Sequence, residues 1–210
     1  AIANNAGLDG PEGVGDPLEV ALLRAAASRG VEHLELLAAH PEVREVAFDP
    51  EVRLMAKVHS LGAAGGGPYR VAVKGAPEAV LACCTAVADR GGDRPLTGAD
   101  REALEQAAET MGNGGQRVLA LAEKTVASPD GEAYAGLTLV ALVGLWDPPR
   151  ADVRAVIDAC HRAGIDVVMV TGDQIETALN VARAVGIGDG ELQAAPGETL
   201  DGASGADQAT

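Results

Sequence analysis

The sequence predicts an α+β fold over residues 1–146 that passes into an alternating α/β segment over residues 147–210. Three observations predict it. Short stretches such as Tyr69–Lys74 alternate in side-chain character, which is the period of a strand. Between them, apolar residues such as Leu18, Ala21, Leu22 and Ala25 recur at helical spacing. After Pro148-Pro149 the rhythm changes to helix, fully apolar strand, helix, which is the pattern of a parallel α/β unit.

The first fifteen residues are rich in Gly, Asn and Ala and are expected to form a loop. A helix starts at Asp16, which can cap it; Pro17 suits its first position and Glu19 completes a capping box. Two strands follow, Glu45–Asp49 and Arg53–His59, around the turn Asp49-Pro50-Glu51. Gly62–Pro68 is a loop, and Tyr69–Lys74 is a strand ended by Gly75. Pro77 opens a helix expected to run through Val87, and another spans Ala99–Met111. Arg117–Glu123 and Leu137–Leu145 read as strands. In the second segment, Arg150–Ala163 is helical to Gly164, Val167–Val170 is a strand, and Gln174–Val185 is helical to Gly186. Five acids and no base follow Arg183, so the tail is expected to be loose.

Composition narrows the function. Acids outnumber bases 31 to 16 for a net charge of −15, which argues against a nucleic-acid surface. Any anionic ligand must therefore be held by a few local cations. Aromatics are only 2% of the chain, so the core must be built from Ala, Val and Leu. No apolar run approaches the ~20 residues that span a bilayer. The three cysteines fit no metal or disulfide pattern, and a reducing, cytoplasmic setting is expected.

Several stretches carry possible chemistry. In Val71-Ala72-Val73-Lys74-Gly75-Ala76-Pro77, a strand delivers an ammonium beside bare backbone, which suits a nucleotide or, more blandly, a surface turn. Phe48, the only phenylalanine, flanks a turn with Arg53; it can stack on a base or simply pack in the core. Glu19 is explained by the cap but could accept from an amino group. Arg117 opens a strand and could clamp phosphate. Met169-Val170-Thr171-Gly172-Asp173 ends an apolar strand in a hydroxyl, a glycine and a helix start, where α/β sheets bind phosphate. Asp147-Pro148-Pro149-Arg150 makes a stiff corner between the two segments.

Together and in this order, these motifs resemble the P-type cation-transporting ATPases, in the branch of calcium, sodium/potassium and proton pumps. The matching pieces are Gly15-Asp16-Pro17-Leu18-Glu19, Phe48-Asp49 with Arg53 and Met55, Lys74-Gly75-Ala76-Pro77-Glu78, Arg117-Val118-Leu119-Ala120, Asp147-Pro148-Pro149-Arg150, and Met169-Val170-Thr171-Gly172-Asp173 through Ile187. The resemblance implies an antiparallel sheet flanked by helices, the nucleotide-binding domain (1–146), joined to a partial haloacid-dehalogenase-like phosphorylation domain (147–210). It implies ATP as ligand, with Phe48 stacked on adenine, Glu19 at its amino group, and Lys74 and Gly75 lining the base pocket. Arg53 and Arg117 would steady the triphosphate. Asp147 and Arg150 would touch ribose and phosphate at the hinge, and Thr171, Gly172 and Asp173 would hold the γ-phosphate. Mg2+ would accompany ATP, its ligands mostly outside this chain. The other cytoplasmic and transmembrane domains of the pump would be partners, at the cytoplasmic face of a membrane.

The sequence also departs from that pattern. The Asp-Lys-Thr-Gly-Thr segment with the phosphorylated aspartate is absent, as is Gly-Asp-Gly-x-Asn-Asp. The chain is therefore expected to begin past the first and stop mid-domain, binding nucleotide without turning it over. Pro50 stands where a calcium pump often carries arginine, Leu18 replaces a common threonine, and Gln174 follows Thr-Gly-Asp where His or Asn is usual. Two rival readings are a haloacid-dehalogenase-type phosphohydrolase with a cap, which needs an Asp-x-Asp motif not found here, and a non-catalytic interaction domain.

Overall fold

The computed structural model describes residues 1–10, 13–62, 66–147, 149–150, 152–171, 175–188, 192 and 194–195. They pack as two units. The first comprises Ala1–Glu109 and Arg117–Leu145; the second comprises Thr110–Gln116 and the described residues from Trp146 onward.

In the first unit, α1 (Pro17–Ala27) and α2 (His33–Ala39) precede the strands β1 (Glu42–Asp49), β2 (Leu54–Ser60) and β3 (Tyr69–Gly75). Then come α3 (Pro77–Cys83), β4 (Cys84–Val87), β5 (Arg94–Pro95), α4 (Gly98–Asn113), β6 (Arg117–Val126) and β7 (Leu137–Leu145). The strands form one seven-stranded sheet in the order β1-β2-β3-β6-β7-β4-β5. Its pairings are antiparallel except for β4 beside β7, which is parallel. The helix α4 begins in this unit and ends in the other.

Strand β2 is buried along its whole length, so both of its faces are covered. Side chains alternate across a strand, and here the two faces differ in chemistry. Leu54, Ala56 and Val58 join Val71, Val73, Ala120, Ala122, Leu137 and Leu139 in the main core, against Val80 and Leu81 of α3. This core is aliphatic, as the scarcity of aromatics requires, and each fully buried Leu contributes about 2 kcal/mol. The other face carries Met55, Lys57, His59 and Lys74, all buried. It meets the amino-terminal segment and α1: Lys74 pairs with Glu19, and the His59 ring lies 3.1 Å from the Ile2 carbonyl. A small cluster of Ala6, Val20 and Leu23 fixes that segment to α1.

Local signals place most boundaries. Asp16 caps α1 by accepting the Leu18 and Glu19 backbone N–H groups, with Pro17 at the first position. The predicted capping box is only half formed, because the Glu19 side chain turns to Lys74 and to the Asn5 N–H. A reciprocal box occurs instead at α4, where Thr97 and Asp100 each accept from the other's backbone.

Three expectations need correction. The helix opened by Pro77 stops at Cys83; residues 84–87 form β4, because Cys84, Ala86 and Val87 pair with Leu137–Leu139 of β7. The short helix α2 and the two-residue β5 were not anticipated. Val167–Val170 is not a strand. A strand needs a hydrogen-bonded neighbour, and no such pairing occurs among the described residues; Val168 and Val170 are 81% and 93% exposed.

In the second unit, α5 (Val153–Arg162) and α6 (Ile175–Val185) bury Ile157, Ala182 and Val185. Both end at glycines of positive φ, Gly164 and Gly186, as expected. There the following N–H groups of Ile165 and Ile187 return to the Cys160 and Ala182 carbonyls. Among the described residues, no helix is long and apolar enough to cross a membrane.

Candidate functional site

A pocket of about 470 Å³ opens between the start of α1 and the ends of β1, β3 and β6. That volume lies in the range of small-molecule sites. Its floor is set by register: Lys74 of β3 stands between Met55 of β2 and Leu121 of β6, so Met55 and Lys74 share one face. Along β6, Arg117 and Leu119 share a face by strand alternation, and both line the pocket. From α1 come Leu18, Glu19 and Leu22; from β1 come Glu45, Ala47 and Phe48.

The polar groups are held in place. Lys74 is 7% exposed and its ammonium pairs with Glu19 Oε1. Glu19 Oε2 accepts the Asn5 N–H at 2.8 Å. The Asn5 amide in turn donates to Glu45 Oε1 at 2.8 Å. Arg117 makes no ion pair among the described residues and is exposed at the rim. Phe48 is 58% exposed, so it does not serve as a core residue and leaves a ring face available to the pocket.

Gly75 serves a close approach of backbone. A Cβ at this position would sit 2.2 Å from the Arg53 carbonyl, which also accepts the Ala76 N–H at 3.1 Å. Arg53 itself adopts φ 59, unusual for a residue with a side chain. The β1–β2 turn is thus locked against the end of β3, and Gly75 lines the pocket beside it.

Of the sequence candidates, Glu19, Phe48, Lys74, Gly75 and Arg117 meet in this one pocket. Arg53 does not line it; its guanidinium donates to Glu78 at 2.5 Å on the surface. Asp147, Arg150 and Thr171 belong to the second unit, where all three are exposed and Arg150 pairs with Asp152 at 2.8 Å. Gly172 and Asp173 lie outside the described residues. The residues that sequence reasoning missed are Asn5, Glu45, Leu22 and Leu119. Leu119 was within reach, since it lies two residues from Arg117 on a strand. Asn5 was not, because nothing local marks it.

The thiols offer no nucleophile to this site. Burial pushes the Cys84 thiol up to about 11, with Cys83 beside it adding to the effect. Among the described residues no three His, Cys, Asp or Glu side chains gather as a metal site, so the residues present do not fit Mg2+ and none is assigned to it.

Comparison with known proteins sets this geometry in context. Residues 1–152 match the family model described as P-type ATPase, cytoplasmic domain N. Residues 121–202 match haloacid dehalogenase-like hydrolase. The chain is 38% identical over 185 residues to the cation-transporting ATPase pma1 of Synechocystis sp., covering 84% of this chain and 20% of that protein. It is 32% identical over 206 residues to calcium-transporting ATPase 1 of Bacillus cereus, covering 97% and 23%. It is 34% identical over 200 residues to calcium-transporting ATPase type 2C member 2 of Homo sapiens, covering 95% and 20%. The chain spans about a fifth of the length of these curated relatives.

Proposed function

The chain belongs to the P-type cation-transporting ATPases, and from that premise we propose that its first unit binds ATP in the pocket beside α1. One observation carries the reading. Phe48, Glu19, Lys74 and Arg117, distant in sequence, line a single adenosine-sized hollow, and the aromatic ring is left exposed beside it. In this reading adenine lies against Phe48, within apolar walls from Leu18, Leu22, Met55 and Leu119. Glu19 accepts from the exocyclic amine. Lys74 supplies a fixed positive charge at the floor, already neutralised by Glu19. Arg117, which makes no ion pair among the described residues, meets the phosphates at the rim.

In a complete pump this unit would hold ATP while its γ-phosphate passes to an aspartate, driving cation transport. Catalysis of that kind rests on positioning and charge neutralisation. Asp147 and Arg150 would mark the hinge, while Thr171, Gly172 and Asp173 would meet the γ-phosphate. Mg2+ would accompany ATP, its ligands mostly outside this chain. The 210 residues contain neither Asp-Lys-Thr-Gly-Thr nor Asp-x-Asp. The chain alone is therefore proposed to bind ATP weakly and to hydrolyse nothing, which sets it apart from a stand-alone phosphohydrolase.

Calorimetric titration tests the binding claim. Phe48→Ala should weaken ATP binding about tenfold, the worth of one good stacking contact, with little change in melting temperature because the ring is exposed. Unchanged affinity in Phe48→Ala would remove the adenine assignment.

A further inference from the structure

Two carboxylates, Glu19 and Glu45, face the same pocket, and each leans on its own lysine. Glu19 pairs with Lys74. Glu45 lies 3.8 Å from Lys57, a buried lysine whose closer partner is Glu42 at 2.7 Å. Among the described residues Asn5 joins the two halves: its backbone N–H donates to Glu19 and its side-chain amide donates to Glu45, each at 2.8 Å. Its neighbour Asn4 anchors the segment, donating to the Glu19 carbonyl and accepting the Ala6 N–H, each at 2.8 Å. The segment is thus pinned to α1 from both sides of Asn5.

We propose that Asn5 is a positioning residue that sets base selectivity in this pocket, by bridging Glu19 and Glu45 so that both present acceptors to a 6-amino base. The inference rests on the ATP-binding reading above and deepens it. Asn5 uses one hydrogen-bonding direction on each carboxylate. Each ionised oxygen keeps lone pairs for a second donor. A 6-aminopurine offers an exocyclic N–H₂ to such acceptors. A 6-oxopurine turns an oxygen toward them, so acceptor faces acceptor and both are left unsatisfied in a partly desolvated site. Without the Asn5 side-chain amide, Glu45 loses its tether and is free to swing away from the base, while the backbone N–H at this position still holds Glu19. Selectivity should then fall along with affinity.

The test measures dissociation constants of the full chain for ATP and GTP, in wild type, Asn5→Ala, Glu45→Ala, Glu45→Gln and the Asn5→Ala/Glu45→Ala double variant. Both positions are exposed, so folding should survive, and melting temperatures check it. The ratio of GTP to ATP dissociation constants is the readout that a merely structural role would not move. Wild type should favour ATP, and Asn5→Ala should lower that ratio about fivefold, the scale of one hydrogen bond. Glu45→Ala should do the same, and the double variant should be no worse than either single, since one bridge is removed in each. Glu45→Gln, which keeps an oxygen for the Asn5 amide, should recover part of the loss. A wild-type ratio in Asn5→Ala, or full additivity in the double variant, would overturn the bridge while leaving the pocket as an ATP site. A wild type that binds neither nucleotide would overturn both readings.

Discussion

Lys74 carries a charge at 7% exposure, and Glu19, whose side chain is 13% exposed, is the partner that answers it. A buried pair of this kind adds little over an apolar isostere, but removing one partner strands the other. Lys74→Met should therefore cost about 3 kcal/mol in urea unfolding, and adding Glu19→Gln should recover more than about 1 kcal/mol of it. Losses that simply add would mean the two groups do not depend on each other. The same pair shows how far residue-level reading reaches. The capping pattern of Asp16 and Glu19 was legible, yet it pointed Glu19 at its own helix, and only the fold reveals a lysine 55 positions away that claims the carboxylate. Gly75 was read as a place for close approach, and it is one. The group that approaches is the Arg53 carbonyl. Arg53, expected at the triphosphate, has a left-handed backbone and pairs with Glu78 on the surface.

At the scale of elements, the start of α4 is fixed by local side chains. Thr97 and Asp100 form a reciprocal box, and Arg94 grips the Asp100 carboxylate through two hydrogen bonds of 2.6 and 2.7 Å. The Arg94 and Thr97 hydrogen bonds hold the Asp100 carboxyl well below its ordinary value of 3.8. A depressed carboxyl stabilises the fold above that value and loses the contribution as pH falls below it. Arg94→Ala should thus unfold at lower urea than wild type near neutrality, and the gap should narrow below about pH 4. A gap that stays constant with pH would show that the ion pair contributes nothing. Elements bounded by local chemistry were the legible ones: Asp16-Pro17 opened α1, Pro77 opened α3, and Gly164 and Gly186 closed α5 and α6. Elements decided by distant partners were not. Strand β4 exists because β7 lies beside it, and Val167–Val170, apolar enough for a strand, has no pairing among the described residues. Helix α2 is only about two turns long and buries no side chain fully, with Leu34 78% exposed, so its Leu34-Leu37-Ala38 spacing is too short a signal to mark a helix.

For the whole molecule, the sheet divides the labour between its faces. One face packs the aliphatic core against α3, and the other carries the buried polar residues that meet α1 and the amino-terminal segment. Every residue lining the pocket belongs to the first unit. The ATP binding proposed above therefore concerns that unit alone. Amide NMR of the full chain during an ATP titration tests most directly whether ATP enters this pocket. Saturable shifts at millimolar ATP should appear at Phe48, Lys74, Gly75 and Arg117. Silence at those four amides, or saturable shifts confined to other surfaces, would contradict it.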